Sequence, residues 1–116
     1  MIDPLLVAAG GLAGATTRHL LGERIDTRTR DTLAVNVLGS FALGVLLGAP
    51  VADALLVLLG TGFCGAFTTF STFAFETVRL AEDGQPRAAA WNGAVNLAGA
   101  LAAVWLGTAL GAALVP

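Results

Sequence analysis

The chain is unusually apolar for its length. Of its 116 residues, 56% are hydrophobic and only 12% are charged, and the formal net charge is −2. A soluble domain carries about 25% charged residues, so this composition excludes an ordinary soluble domain. No basic cluster is dense enough to indicate nucleic-acid binding, and no nucleophile–base pair, metal-ligand spacing or phosphate loop indicates an enzyme. The composition indicates a membrane protein.

Four apolar segments are candidates to cross a membrane. A hydrocarbon core about 30 Å thick requires roughly 20 apolar residues per helix. The four segments cover residues 4–21, 32–49, 52–78 and 88–115. We therefore predict an all-α membrane protein in which residues 1–116 form a single subunit of four transmembrane helices. The first segment is not predicted to be a signal peptide, because no lysine or arginine precedes it.

The arginines set the expected orientation of these helices. The chain has no lysine, and its arginines all lie at or within the connections that follow the first and third segments. They are Arg18, Arg24, Arg28, Arg30, Arg79 and Arg87. Because positively charged connections remain in the cytoplasm, we predict a multi-pass protein of the cell membrane with both connections inside and both termini outside.

The centre of the third segment departs from an ordinary membrane helix. The stretch 65-GAFTTFSTF-73 combines a glycine with four hydroxyl residues. Glycine is a weak helix former, and serine and threonine compete for backbone hydrogen bonds. We therefore predict that the third helix is broken in the middle of the membrane. Free carbonyls at such a break can bind a cation, and the start of the next half-helix favours an anion.

Polar and small residues recur on shared helix faces. Thr32, Asn36 and Ser40 recur every four residues in the second segment, and Asn92 and Asn96 do so in the fourth. Such residues either bond helices together or line an ion path, and the two asparagine stripes favour a path.

The phenylalanines spaced by three after Gly65 either pack the core or turn their positive edges toward an anion. Ladders of small residues pack helices within one chain or between subunits. The ladders are Gly10 and Gly14, and Gly99, Ala103, Gly107 and Gly111.

Four motifs in order carry a family resemblance. They are 10-GGLAGATTR-18, 35-VNVLGSFALG-44, 62-GFCGAFTTFSTFAFE-76 and the glycine-rich last segment with Asn96. With these motifs the chain resembles the Fluc/CrcB family of small fluoride ion channels, and the third motif is the most specific. The resemblance implies an antiparallel dimer with two fluoride pores and a structural sodium ion at the dimer centre. It also implies passive export of toxic fluoride from the cytoplasm.

The resemblance also implies roles for individual residues. The edges of Phe70 and Phe73 would face the fluoride path, and Asn36 would donate a hydrogen bond in it. Gly65 and Thr68 would offer backbone carbonyls to the sodium ion. The other implied pore or vestibule residues are Arg18, Ser71, Thr72, Glu76 and Asn96, with Thr69 bracing the break. Ala100 is apolar at the next turn after Asn96, where the family carries a polar track.

The charge bias leaves the composition of the dimer open. A subunit that inserts in both orientations should balance its arginines between the two sides, and this chain does not. We therefore expect a partner that is an oppositely oriented homologue, with a homodimer as the rival. Two other functions stay open. A small multidrug-type exporter would need a buried acid in the first helix, where none lies. A structural membrane subunit would conduct nothing.

Overall fold

The structure, a computed structural model, describes residues 3–114, and the regular elements in this range are all helices. Helix α1 spans Pro4–Arg24 and α2 spans Arg28–Gly48. The third span contains α3 (Asp53–Leu55), a π-helix (Leu56–Cys64), α4 (Gly65–Phe67) and α5 (Phe70–Glu82). Helix α6 spans Pro86–Ala113. The prediction that the last helix reaches residue 115 lies outside the described residues.

Local sequence explains where the helices start. The Asp3 side chain accepts a hydrogen bond from the Leu5 amide at 2.9 Å, and Pro4 occupies the first helical position of α1. Both features are typical of helix starts. Helix α6 also begins with a proline, after a turn in which Gly84 has a φ of 77°. The predicted helices therefore exist, and each of the first two extends beyond the apolar segment into the arginine-bearing connection.

The third span is interrupted, as its sequence predicts. We call the continuous rod Asp53–Phe67 the first half-helix and α5 the second half-helix. Between them Thr68 and Thr69 are extended, with ψ angles of 163° and 121°. Gly65 itself remains helical, so the break lies among the threonines. Much of the first half-helix has π geometry, in which a residue bonds to the fifth residue before it.

Length and composition qualify three of the spans to cross a membrane. These are Thr29–Gly48, Asp53–Glu82 and Pro86–Ala113. Helix α1 has a comparable length of 21 residues, but Arg18 and His19 make its second half more polar. The protein is therefore a multi-pass helical membrane protein, and the fourth transmembrane helix remains a prediction.

Glycines bring helix backbones together inside the chain. A Cβ atom placed at Gly107 of α6 would meet the Phe41 carbonyl oxygen of α2. A Cβ atom placed at Gly10 of α1 would meet the Leu58 carbonyl oxygen of the first half-helix. Gly14 meets the same half-helix one turn further on. Of the two alternatives for the small-residue ladders, the structure selects packing within the chain.

The order of contacts between α2 and α6 shows that they run parallel. Gly99 of α6 lies against Val37, and Gly111 lies against Val45, so both helices advance in the same direction. The connections that precede α2 and α6 therefore lie at the same end of the bundle. These are the two connections that carry the arginines. The charge segregation predicted along the sequence is thus present in the folded chain.

Candidate functional site

The break in the third span is held by a side chain of α2. The Asn36 Oδ1 atom accepts a hydrogen bond from the Thr69 amide at 2.8 Å. The Asn36 Nδ2 atom donates to the Thr69 carbonyl oxygen at 3.0 Å. The carboxamide thus pairs with both backbone groups of one extended residue, much as a neighbouring strand does. These two bonds fix the amide orientation and explain how an unwound residue keeps its backbone groups satisfied.

The break also changes the partners of two carbonyl groups. In a continuous helix the Gly65 carbonyl would accept from the Thr69 amide, four residues later. That amide bonds to Asn36 instead. The Thr68 carbonyl would accept from the Thr72 amide, but this amide donates to the Thr69 hydroxyl at 3.2 Å. The Gly65 and Thr68 carbonyls therefore lack the amide partners that a continuous helix would give them. Gly65 lies in the last turn of the first half-helix, at the negative end of its dipole.

A continuous chain of hydrogen bonds extends from the break to α6. The second Nδ2 hydrogen of Asn36 reaches Asn96 Oδ1 at 3.3 Å. Asn96 Nδ2 donates to the carbonyl oxygen of Asn92 at 2.9 Å and to its Oδ1 at 3.3 Å. Asn92 Nδ2 donates to the Thr77 hydroxyl at 3.0 Å, which returns the chain to α5. Asn92 and Asn96 are both buried, so these polar groups are costly unless they are paired.

A first groove opens beside the break and is mostly apolar. Its volume is about 410 Å³. Phe70 and Phe73 form one wall, with ring centroids 5.8 Å apart and ring planes inclined by 57°. Tilted rings at this distance present edges as well as faces to their neighbours. Phe70 begins the second half-helix and is 79% exposed in the single chain. The predicted residues that line this groove are Asn36, Gly65, Thr68, Phe70, Phe73 and Asn96.

A second, more polar groove opens at the arginine end of the bundle. The predicted residues Arg18, Ser71, Thr72 and Glu76 line it. Glu76 is buried, and the hydroxyl of Thr32 on α2 donates to its Oε1 at 2.9 Å. This hydrogen bond satisfies one buried oxygen of the Glu76 carboxyl group. The buried carboxylate is therefore anchored to α2 rather than directed into water.

The predicted site residues thus form two sets that meet at the break. Thr69 lines both grooves, so the two grooves meet at this residue. The first set surrounds the paired phenylalanines and the asparagine chain, and the second set surrounds Glu76. The family resemblance implies a polar track on the last helix, in which Ala100 is an apolar exception. Ala100 lines the first groove, next to Asn96.

Sequence reasoning missed several contacts of this site. Asn36 was interpreted as a donor facing an ion path, yet in the single chain both of its Nδ2 hydrogens are engaged. The pairing of Thr32 with Glu76 joins residues 44 positions apart, and that of Asn92 with Thr77 joins residues 15 positions apart. Spacing along one helix cannot reveal contacts between helices. The four-residue interval from Thr32 to Asn36 was the available signal, since it places both on the face that meets the break.

The two half-helices direct opposite ends of their dipoles toward the break. The second half-helix begins at Phe70, and its amino end carries the positive part of the helix dipole. The first half-helix ends at Phe67, with its carbonyl dipoles pointing to the break. The helix dipoles therefore favour an anion near the start of α5 and a cation near the last carbonyls of the first half-helix.

Comparison with known proteins places this geometry in a family. The model of the family described as CrcB-like protein, Camphor Resistance (CrcB), matches residues 5–108. A protein of Natronomonas pharaonis named fluoride-specific ion channel FluC 2 is 56% identical over 114 residues, which cover 98% of both chains. A FluC 2 of Haloarcula marismortui is 50% identical over 103 residues, or 87% of each chain. The fluoride-specific ion channel FluC of Methanocaldococcus jannaschii is 41% identical over 117 residues, covering 95% of this chain and 94% of its own.

The family match spans most of the chain, and the similarity to these relatives extends over nearly the full length of both partners. The motifs that carry the resemblance lie within the matched residues and surround the broken third span. We conclude that this chain belongs to the CrcB family.

Proposed function

We propose that the chain is a subunit of a fluoride-selective channel of the cell membrane, through which cytoplasmic fluoride leaves passively. The observation that carries this proposal is the near-full-length similarity to proteins named fluoride-specific ion channels, at 56% identity in one of them. The broken third span, with its phenylalanine pair and asparagine chain, supports it. The family consists of channels, so the protein is not an enzyme.

In this proposal the first groove is one side of the fluoride path. Fluoride is small and strongly hydrated, so its water must be replaced by hydrogen-bond donors and positive ring edges. Phe70 and Phe73 supply edges, and the dipole at the start of α5 adds favourable potential. Asn36 supplies a donor by exchanging its longer bond to Asn96, at 3.3 Å, for the ion, while its bonds to Thr69 remain. The larger chloride fits such a path poorly.

The second groove forms the aqueous approach in the same proposal. Arg18 attracts anions toward it, and Ser71 and Thr72 offer hydroxyl groups where the groove meets the break. Glu76 remains anchored by Thr32 near the path. Electrostatic attraction of this kind changes the rate of ion entry more than the affinity of any site.

The residues at the break fit the sodium ion that the family resemblance implies. Hard cations prefer oxygen ligands, and unwound carbonyls in membrane helices are suited to sodium. Gly65 and Thr68 each keep a carbonyl that the helix ladder does not use, because the amides four residues later bond to side chains. When bound, the ion would neutralise these carbonyl dipoles at a structural site. Gly65 is exposed in the single chain, so a second subunit can contribute the remaining ligands.

The assembly proposed is an antiparallel dimer of subunits with four transmembrane helices, α1 being the fourth. Phe70 is exposed at the mouth of the first groove, and a dimer would cover it. We propose that both termini lie outside and that the arginine-bearing connections lie in the cytoplasm. A chain with this bias inserts in one orientation, so its partner would be a homologue of opposite bias. The rival is a homodimer that assembles despite the bias.

Expression in a bacterium that lacks its own fluoride exporter tests the function directly. The chain should restore growth in millimolar fluoride, and Phe73→Ile should abolish the rescue at equal membrane abundance. The same growth assay with a cationic drug in place of fluoride distinguishes the alternative functions. Resistance to the drug without resistance to fluoride would support a small multidrug-type exporter. A chain that is abundant in the membrane and protects against neither would support a structural subunit.

A further inference from the structure

We infer that Asn36 and Thr69 are positioning residues that create the cation site by diverting two backbone amides. In a continuous helix these amides would occupy the carbonyls of Gly65 and Thr68. The inference rests on the proposed function, because it assumes that those carbonyls bind sodium. It assigns to Asn36 a second role besides hydrogen-bond donation in the pore.

The first diversion is made by Asn36. The Thr69 amide is the helical partner of the Gly65 carbonyl, and it bonds to Asn36 Oδ1 at 2.8 Å. Asn36 Nδ2 holds the Thr69 carbonyl at 3.0 Å and so prevents this residue from turning back into the helix. The acceptor of this carboxamide is therefore the atom that releases the Gly65 carbonyl.

The second diversion is made by the Thr69 hydroxyl. It accepts from the Thr72 amide at 3.2 Å and donates to the Thr72 hydroxyl at 2.9 Å. Thr69 thus caps the second half-helix, as threonine commonly does. The same cap removes the helical partner of the Thr68 carbonyl. Each of the two carbonyls is released by a different side chain, so the two contributions can be separated by mutation.

An amide that returned to its helical partner would compete with a cation. A carbonyl oxygen has two lone pairs, but an amide proton on one of them repels a cation at the other and points the carbonyl along the helix. We therefore expect removal of either diverting atom to weaken sodium binding about tenfold, the equivalent of one net hydrogen bond. Because Asn36 also contacts Asn96, the same side chain joins the cation site to the proposed fluoride path.

The variants isolate the atoms that the inference names. Asn36→Leu removes both the acceptor and the donor that bond to Thr69, at similar side-chain size. Thr69→Val removes the hydroxyl at similar size, whereas Thr69→Ser keeps it. Asn96→Leu is the matched control, because it removes the third bond of Asn36 and leaves both bonds to Thr69.

The readout is the unfolding temperature of the purified protein in detergent, titrated with sodium chloride against choline chloride. A ligand that binds only the folded state raises this temperature. The wild type should be stabilised by sodium, and the leucine and valine variants should need about tenfold more sodium for the same rise. Thr69→Ser and Asn96→Leu should respond to sodium as the wild type does. If Asn36→Leu does not fold, the comparison of Thr69→Val with Thr69→Ser tests the inference instead.

Two results would overturn the inference in different ways. A sodium response that survives unchanged in Asn36→Leu or in Thr69→Val would show that the diverted amides are irrelevant to the site. The sodium site and the proposed function would then stand. A wild type indifferent to sodium would remove the cation site itself, and the positioning roles with it, while fluoride flux could still be measured separately.

Discussion

Replacing Gly107 by alanine perturbs one of the close backbone contacts between the parallel helices α2 and α6. The added Cβ atom would meet the Phe41 carbonyl oxygen and would lie 3.0 Å from the Val45 amide nitrogen. All the obstructing atoms belong to the backbone of α2, so no flexible side chain can move aside. Helices α2 and α6 would have to separate, and the asparagine contacts between them would lengthen.

The expected loss of stability is obtained by comparing Gly107→Ala with a substitution of a second glycine on α6. Forcing extra atoms into a well-packed interface costs about 1–3 kcal/mol. Alanine also favours a helix over glycine by about 0.8–1.0 kcal/mol. Gly93→Ala is the matched control, because a Cβ atom there meets no neighbour within 4 Å. The propensity gain is common to both variants, so Gly107→Ala should be less stable than Gly93→Ala by about 1–3 kcal/mol.

The assay is chemical unfolding of both variants in the same detergent, with the free energies compared at a common denaturant concentration. Fluoride efflux should follow the same order, since separation of α2 from α6 moves Asn96 away from Asn36. Equal stabilities of the two variants would contradict the packing of α2 on α6. A Gly107→Ala protein more stable than Gly93→Ala would refute the backbone contact outright.

Three further outcomes test other parts of the structure. Thr32→Val should lower the free energy of unfolding by about 1–3 kcal/mol, because it removes the donor to a buried oxygen of Glu76. The exposed control Thr16→Val should change it by less than about 0.5 kcal/mol. Phe70→Leu should slow fluoride efflux by about tenfold, which corresponds to the loss of one aromatic contact of about 1.4 kcal/mol. Because Phe70 is exposed, the free energy of unfolding should change little. A cysteine placed at Gln85 in cells should react with an impermeant thiol reagent only after permeabilisation, and equal labelling of intact cells would contradict the single orientation.

Sequence alone anticipated the break in the third span for a physical reason. Glycine and hydroxyl residues weaken a helix wherever they cluster, so their effect can be read without tertiary structure. It did not place the break, since Gly65 remains helical and Thr68 and Thr69 unwind. The position of the break depends on Asn36 of α2. Its two hydrogen bonds to the Thr69 backbone stabilise the extended conformation of that residue.

The contacts between helices could not be predicted from the sequence. The glycine ladders indicated close packing, but the same pattern suits packing within a chain and between subunits. Only the structure shows Gly10 against the first half-helix and Gly107 against α2. The π-helical stretch Leu56–Cys64 had no recognisable signal either, because its residues are ordinary apolar helix formers interspersed with glycine.

The site residues were predicted as a set by motif, and the structure separates them into two grooves. Phe70, Phe73 and Asn36 share the groove beside the break, while Glu76 faces the groove at the arginine end. Helical spacing could not supply this division, because it depends on how the broken span turns at Thr69. The sodium and pore roles of these residues remain predictions.

The most direct test of the central claim is fluoride release from liposomes that contain only the purified chain, followed with a fluoride electrode. The account predicts rapid fluoride release, chloride release at the level of empty liposomes, and loss of fluoride release in the Phe73→Ile protein. If this chain alone releases no fluoride, but release begins after a homologue with the opposite arginine bias is added, the channel is an obligate heterodimer. Equal release of fluoride and chloride, or silence with every such partner, would contradict a fluoride-selective channel.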